Sequence, residues 1–126
     1  MSIHITLPMP PSVNKAYAGF PKRHKSNDYK KWEVEAQKAL KTQTKYSIEG
    51  DKWLNAMYVL HTDLYYKNGK KKVIDVANYE KLTSDFLSHE IPWFADHKIM
   101  SITLLKKQKK QEDFIEILVD ELEIPE

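Results

Sequence analysis

The chain has no cysteine among its 126 residues, so disulfides, thiolate zinc sites and cysteine nucleophiles are excluded together. Any metal it binds must be held by oxygen or imidazole. Glycine is almost as scarce: three residues, at positions 19, 50 and 69, are too few and too scattered for a phosphate-cradling loop. No serine-triad motif is present either. No apolar run approaches the roughly 18 residues needed to cross a bilayer. The start Met1-Ser2-Ile3-His4 lacks the charged and apolar regions of a signal peptide, which reads as a cytoplasmic protein without a membrane partner. With 41% hydrophobic and 30% charged residues, the composition is that of an ordinary globular chain. Its length suits one domain spanning 1–126, with no repeat or linker to divide it.

Charge is scarce only in sum. The formal net charge is +2, yet residues 112–126 hold seven acidic side chains and no Lys or Arg, leaving +9 on residues 1–111. Cations gather at Lys22-Arg23-His24-Lys25, at Lys70-Lys71-Lys72, and at Lys106-Lys107 with Lys109-Lys110. A basic body with an acidic tail suits a polyanionic partner, although a solvated loop or strand end explains any single cluster at least as well.

Hydrophobic periodicity orders the elements. Ile3, Ile5 and Leu7 alternate as a strand that Pro8, Pro10 and Pro11 end. Ser26 or Asn27 caps a helix running to about Tyr46, with Asp28 in its first turn and Trp32, Ala36, Ala39 and Leu40 at helical spacing. Trp53 to Tyr66 reads as a long strand closed by the Asn68-Gly69 turn. Val76, Tyr79, Leu82, Phe86 and Leu87 form a helical stripe that ends before Pro92. Ile99–Leu105 and Phe114–Val119 are two further strands, most simply paired as a hairpin. The expected fold is α+β, a mixed sheet of about four strands with two helices in the order β-α-β-α-β-β.

The residues with chemical potential lie between Asp75 and Asp96. Asn78, Lys81 and Asp85 follow Asp75 at helical intervals that collect polar groups on adjacent faces. If the loop after the helix folds back, Asp96 approaches Asp75, and paired carboxylates of that kind bind Mg²⁺ or Mn²⁺. Such a cation activates water and neutralises a phosphodiester's developing charge. Lys81 would then stand where an ammonium stabilises the transition state. A plainer account is available for each: Asp75 as a helix N-cap, Lys81 with Asp85 as a surface pair worth about 0.2–0.5 kcal/mol.

The segment Asp75-Val76-Ala77-Asn78-Tyr79-Glu80-Lys81-Leu82-Thr83-Ser84-Asp85-Phe86-Leu87, with Ala95-Asp96 downstream, resembles the signature of the RusA family of Holliday-junction resolvases. Leu7-Pro8-Met9-Pro10-Pro11-Ser12-Val13-Asn14-Lys15 is similar to the family's opening strand and its Pro-Pro-Ser-x-Asn loop. The resemblance implies a small homodimeric endonuclease that makes paired, symmetrical cuts in four-way DNA junctions with a divalent metal. Matched position by position, it implies catalytic roles for Asp75, Lys81 and Asp96, metal ligation by Asp75, Asp96 and Asp85, and DNA contact by Asn78 and Lys81. Asn14, Lys15, Lys22, Arg23, Lys25, Lys70, Lys71 and Lys72 are the further expected DNA contacts.

Two positions depart from the pattern. Ala77 stands where the second motif aspartate belongs, and Ala95 where the first of a downstream acidic pair belongs. Alanine supplies no oxygen, so a cation would rely on Asp75 and Asp96, with Asp85 or Glu80 and additional waters, as Mg²⁺ tolerates. Two readings stay open: an active metal-dependent endonuclease in DNA recombination and repair, and a junction-binding homologue with weakened or lost catalysis. His61 and His97 could supply imidazole chemistry, but the five histidines have no close ligand spacing. Tyr17 and Phe20 could stack on unpaired bases, and packing is the competing use of such aromatics.

Overall fold

Alternation of Ile3, Ile5 and Leu7 places all three on one face of the first strand, β1 (Ile3–Pro8), where they are buried. The computed structural model describes residues 2–19, 24–43 and 47–122. After the proline-rich loop comes one helical turn, α1 (Val13–Ala16), then a two-residue ribbon of β2 (Tyr17–Ala18) and β3 (His24–Lys25). The first long helix is α2 (Asn27–Lys41), and the Ser26 hydroxyl caps it by accepting from the Tyr29 amide at 3.2 Å. Then follow β4 (Trp53–Thr62), the motif helix α3 (Ala77–Glu90), a 3₁₀ turn at Asp96–Lys98, β5 (Ile99–Gln108) and β6 (Phe114–Leu122). This is a single α+β fold: a mixed four-stranded sheet, two long helices and a small second ribbon. Among the described residues no helix is long and apolar enough to cross a membrane.

The main sheet runs β1-β6-β4-β5. Ile3, Ile5, Leu7, Leu54, Ala56, Tyr58, Leu60, Ile115, Ile117 and Val119 bury one face against Trp32 and Ala36 of α2 and Leu82, Phe86 and Leu87 of α3. Full burial of a side chain of this size stabilises the fold by about 1.5–3 kcal/mol, so this one face supplies most of the driving force. The opposite face carries His4, Thr6, Met57, His61, Glu116 and Leu118 on the alternate positions.

Three sequence expectations are corrected. β5 and β6 are not a hairpin: β5 runs parallel to β4 at the sheet edge, while β6 lies antiparallel between β1 and β4. The reason is burial. Ile115, Ile117 and Val119 are fully enclosed and need neighbours on both sides, whereas nearly every residue of β5 is exposed, and α3 supplies the crossover that parallel pairing requires. The first helix stops at Lys41 rather than near Tyr46, because Gln43 turns its amide onto β1, accepting from the Thr6 N–H at 2.6 Å and donating to the Thr6 carbonyl. Thr44 to Tyr46 lie outside the described residues. Finally, β4 ends at Thr62, where Asp63 accepts from the Tyr65 amide at 3.2 Å and from Gln108 and bends the chain. Beyond it Tyr65 meets Lys71 in a short protruding hairpin whose turn uses Gly69 at φ 85°.

Candidate active site

The amphipathic pattern that seats Leu82, Phe86 and Leu87 in the core turns the remaining faces of α3 toward β5 and the 3₁₀ turn. Glu80, Lys81, Ser84 and Asp85 of α3, Asp96 of the turn, and Ile99 and Ile102 of β5 line one hollow of about 380 Å³. Asp96 is held there by the Ser88 hydroxyl, which donates to its Oδ1 at 2.8 Å. Beneath, Ser84 donates to Glu80 at 2.7 Å, so the Tyr58 hydroxyl, 2.6 Å from Ser84 Oγ, donates to Ser84. Burial pushes the Tyr58 phenol well above its ordinary range, keeping it a protonated donor.

Electrostatics single out Asp85. Partial desolvation raises its carboxyl, the charge of Asp96 raises it further, and Lys81 and Lys25 pull it partly back. Two carboxylates thus face one hollow without full compensation. Among the described residues no close ion pair joins Lys81 to Asp85, which leaves the ammonium available to a ligand. Asp85 also borders a second hollow with Lys25, Tyr29 and Glu33, where Lys25 pairs with Glu33 at 3.0 Å and lies over the Tyr29 ring.

Asp75 sits elsewhere. Its Oδ1 accepts from the Ala77 amide at 3.1 Å and its carbonyl from the Asn78 amide at 3.1 Å; Val76, directly before α3, already has helical backbone angles (φ −59°, ψ −31°) and makes no side-chain cap, so Asp75 does the capping one residue ahead of it. Ser88, which fixes Asp96, lies more than three helical turns beyond, so the fold gathers Asp96 with Asp85 rather than with Asp75. Hard-oxygen donors at the hollow fit a divalent cation that keeps several waters, and a cation would relieve the repulsion between Asp85 and Asp96. Among the described residues no three His, Asp or Glu side chains converge as a ready-made cage.

One family model, described as Endodeoxyribonuclease RusA, matches residues 8–120. The chain belongs to the RusA endodeoxyribonuclease family. Among curated proteins none matches the sequence significantly. The RusA match makes this chain a nuclease of the kind that resolves Holliday junctions. It takes in both the hollow and the proline-rich loop.

Of the other expected residues, Lys15 is exposed on α1, whose carbonyl accepts from Ser26 Oγ at 2.8 Å, and Asn14 lies in the same turn. Lys70, Lys71 and Lys72 ride on the protruding hairpin, with Lys72 over the Tyr66 ring at 5.5 Å. Asn78 occupies the first turn of α3, half-buried. Lys22, Arg23 and Phe20 lie outside the described residues. Tyr17 is a packing residue, edge-on to Tyr29 at 5.6 Å. His97 is exposed on the 3₁₀ turn beside Asp96, while His61 is on the opposite sheet face, stacked on Phe114. Sequence reasoning missed Ser84 and Ser88. Their signal was present: Glu80, Ser84 and Ser88 recur every four residues, which stacks them on one side of a helix.

Proposed function

We propose that the chain cleaves four-way DNA junctions by paired symmetrical cuts, using a divalent cation, Mg²⁺ or Mn²⁺, at the hollow between α3 and the 3₁₀ turn. The observation that carries this reading is the grouping of Asp85, Asp96 and Lys81 around one open hollow in a RusA-family chain. Asp85 and Asp96 would hold the cation, with Glu80 at the margin. A bound cation supplies a more acidic water and neutralises charge on the phosphodiester. Lys81 binds the scissile phosphate, its stem anchored on α3 and its ammonium directed by the two carboxylates. Asp75 matches the first aspartate of the family motif and is carried as a third functional carboxylate, with one oxygen engaged in the cap. Lys15, Lys25 and the Lys70–Lys72 hairpin, with Lys22, Arg23, Asn14 and Asn78, would hold the arms of the junction. Two cuts need two sites, hence a homodimer.

The test is cleavage of an end-labelled four-way junction. Nicking that requires Mg²⁺ or Mn²⁺ and disappears in Asp96→Asn, with junction binding retained, supports the proposal. Folded protein that cuts at no metal concentration overturns it. Asp75→Asn keeps a good capping residue, so an unchanged melting temperature with cleavage abolished would assign Asp75 to chemistry, and retained cleavage would leave it only the cap.

A second reading, a junction-binding homologue with weakened catalysis, is favoured by Ala77 and Ala95 and by the lack of a three-ligand cluster among the described residues. Ala77→Asp with Ala95→Asp then creates or greatly raises cleavage. Equal cleavage with and without the two substitutions argues against it.

A further inference from the structure

Two hydroxyls are buried in the core beneath the hollow. Tyr58 of β4 is fully enclosed and Ser84 of α3 is 5% exposed, with their oxygens 2.6 Å apart. Tyr58 belongs to the same apolar cluster as Leu54, Leu82 and Phe86. Phenylalanine with alanine would fill this volume without a polar atom, and a buried hydroxyl costs free energy unless it is bonded. The pair is satisfied because it ends on a charge: Tyr58 donates to Ser84, and Ser84 donates to Glu80 Oε1 at 2.7 Å. Packing alone has no need of a buried relay whose one terminus is at the hollow.

Glu80 is the carboxylate that this relay fixes. Its side chain is half-buried and lines the hollow with Lys81, Asp85 and Asp96. Oε1 is anchored by Ser84, while Oε2 receives no bond from another described residue. A carboxylate held through one oxygen and open at the other is positioned to accept a proton there. Ser88 anchors Asp96 in the same fashion, four residues further along α3. Four residues separate the two serines by about 6 Å along the helix, a spacing that admits a water between the carboxylates they hold. Burial pushes the Tyr58 phenol up, and the charges of Glu80, Asp96 and Asp85 each add to that push, so all three carboxylates gather around one buried donor.

Their tasks differ. Asp85 and Asp96 repel each other and are the pair that a cation relieves. Ala77, three residues before Glu80, and Ala95, beside Asp96, have no oxygen to offer a water. Glu80 lies outside the motif positions matched at Asp75, Asn78, Lys81 and Asp85, yet it is the i, i+3 neighbour of Ala77 on the helix.

We propose that Glu80 is the general base of this nuclease, with Ser84 and Tyr58 as its positioning residues. This rests on the metal-dependent cleavage reading above and assigns the proton that reading leaves unassigned. Glu80 Oε2 takes a proton from a water in the hollow as the water oxygen bonds to phosphorus. The phosphorus–oxygen bond to the departing sugar breaks, and the sugar oxygen takes a proton from solvent. Glu80 then returns its own proton to solvent. A carboxylate lost at position 77 is thereby replaced, for this one task, by another on the same helix.

Glu80→Gln keeps an oxygen for Ser84 to donate to, so the relay and the fold stay intact. Cleavage of a four-way junction at saturating Mg²⁺ should fall about 100-fold or more. Junction binding, melting temperature and Mn²⁺ affinity by calorimetry should not change. Added formate should restore part of the cleavage in Glu80→Ala, where it can enter the vacated space, and none in Glu80→Gln. Tyr58→Phe with Ser84→Ala removes both hydroxyls together and should lower cleavage about tenfold, with no further loss when combined with Glu80→Gln. Additive losses would overturn the positioning role. Weakening of Mn²⁺ binding by about tenfold or more in Glu80→Gln would make Glu80 a metal ligand and overturn the base. A chain that cuts, and cuts equally well as Glu80→Gln, overturns the base and leaves the nuclease reading standing, whereas an unmodified chain that cuts at no metal concentration overturns both.

Discussion

The Ser88 hydroxyl donates to Asp96 Oδ1 at 2.8 Å, tying the 3₁₀ turn after α3 back to the last turns of the helix. Asp96 owes its place beside Asp85 to this bond, since among the described residues no other side-chain hydrogen bond joins the turn to the helix face. Groups that orient a ligating carboxylate typically affect metal affinity 10- to 100-fold. Ser88→Ala should raise the Mg²⁺ concentration for half-maximal junction cleavage about tenfold, with maximal cleavage recovered at high metal. Cleavage titrated against Mg²⁺ checks this, and an unchanged midpoint would show that Asp96 needs no orienting partner.

Asp85 is the carboxylate that folding disfavours as an anion. Burial and the charge of Asp96 raise its carboxyl above the unfolded value, so its favourable contribution is present below that unfolded value and is lost as pH rises through the folded one. At neutral pH the ionised group costs stability. Asp85→Asn should therefore raise the melting temperature at pH 7 and abolish cleavage, and the stability gain should fade below about pH 4. Thermal melts at both pH values provide the comparison.

Glu116 shows the opposite sign on the other sheet face. Burial raises its carboxyl, but the hydrogen bonds from His61 at 3.0 Å and His4 at 2.6 Å prevail and hold it below its ordinary value. A depressed carboxyl contributes stability above its unfolded value, about 4.3, that is lost as pH falls through the folded one. Glu116→Gln should cost about 1 kcal/mol at pH 7 and progressively less below pH 4. Urea unfolding at the two pH values measures the difference. A constant difference would mean that the histidine bonds, rather than the charge, carry the effect.

The hairpin lysines should bind phosphate without reading sequence. Lys70, Lys71 and Lys72 replaced together by Ala should lower the slope of log K against log salt for junction binding by about one unit for each phosphate no longer neutralised, up to about three. Binding titrations between low and moderate salt decide it. An unchanged slope would remove the hairpin from the DNA surface.

Much of the site is legible in the amino-acid sequence, because helical spacing is a local property. Lys81, Asp85 and the stripe of Leu82, Phe86 and Leu87 take their faces from the 3.6-residue repeat wherever the helix is packed. The Ser26 cap is legible for the same reason. The partner of Asp96 is not. Facing Asp75 or Asp85 depends on how far the loop after Ile91 travels back along α3, and that distance is set by Phe94 entering the core and by Ser88.

Sheet order divides in the same way. Alternation at Ile115, Ile117 and Val119 marks a strand with a buried face whatever its neighbours, so the sequence by itself determined the four main strands and two long helices in their order, the motif helix among them, and the nuclease family, but not the short α1 or the β2–β3 ribbon. Only the tertiary structure decided that β6 threads between β1 and β4, that β5 is left at an open edge, and that Asp96 meets Asp85. Backbone pairing is blind to local sequence. It is chosen by which arrangement buries the most apolar surface, and that sum exists only when all the strands are assembled.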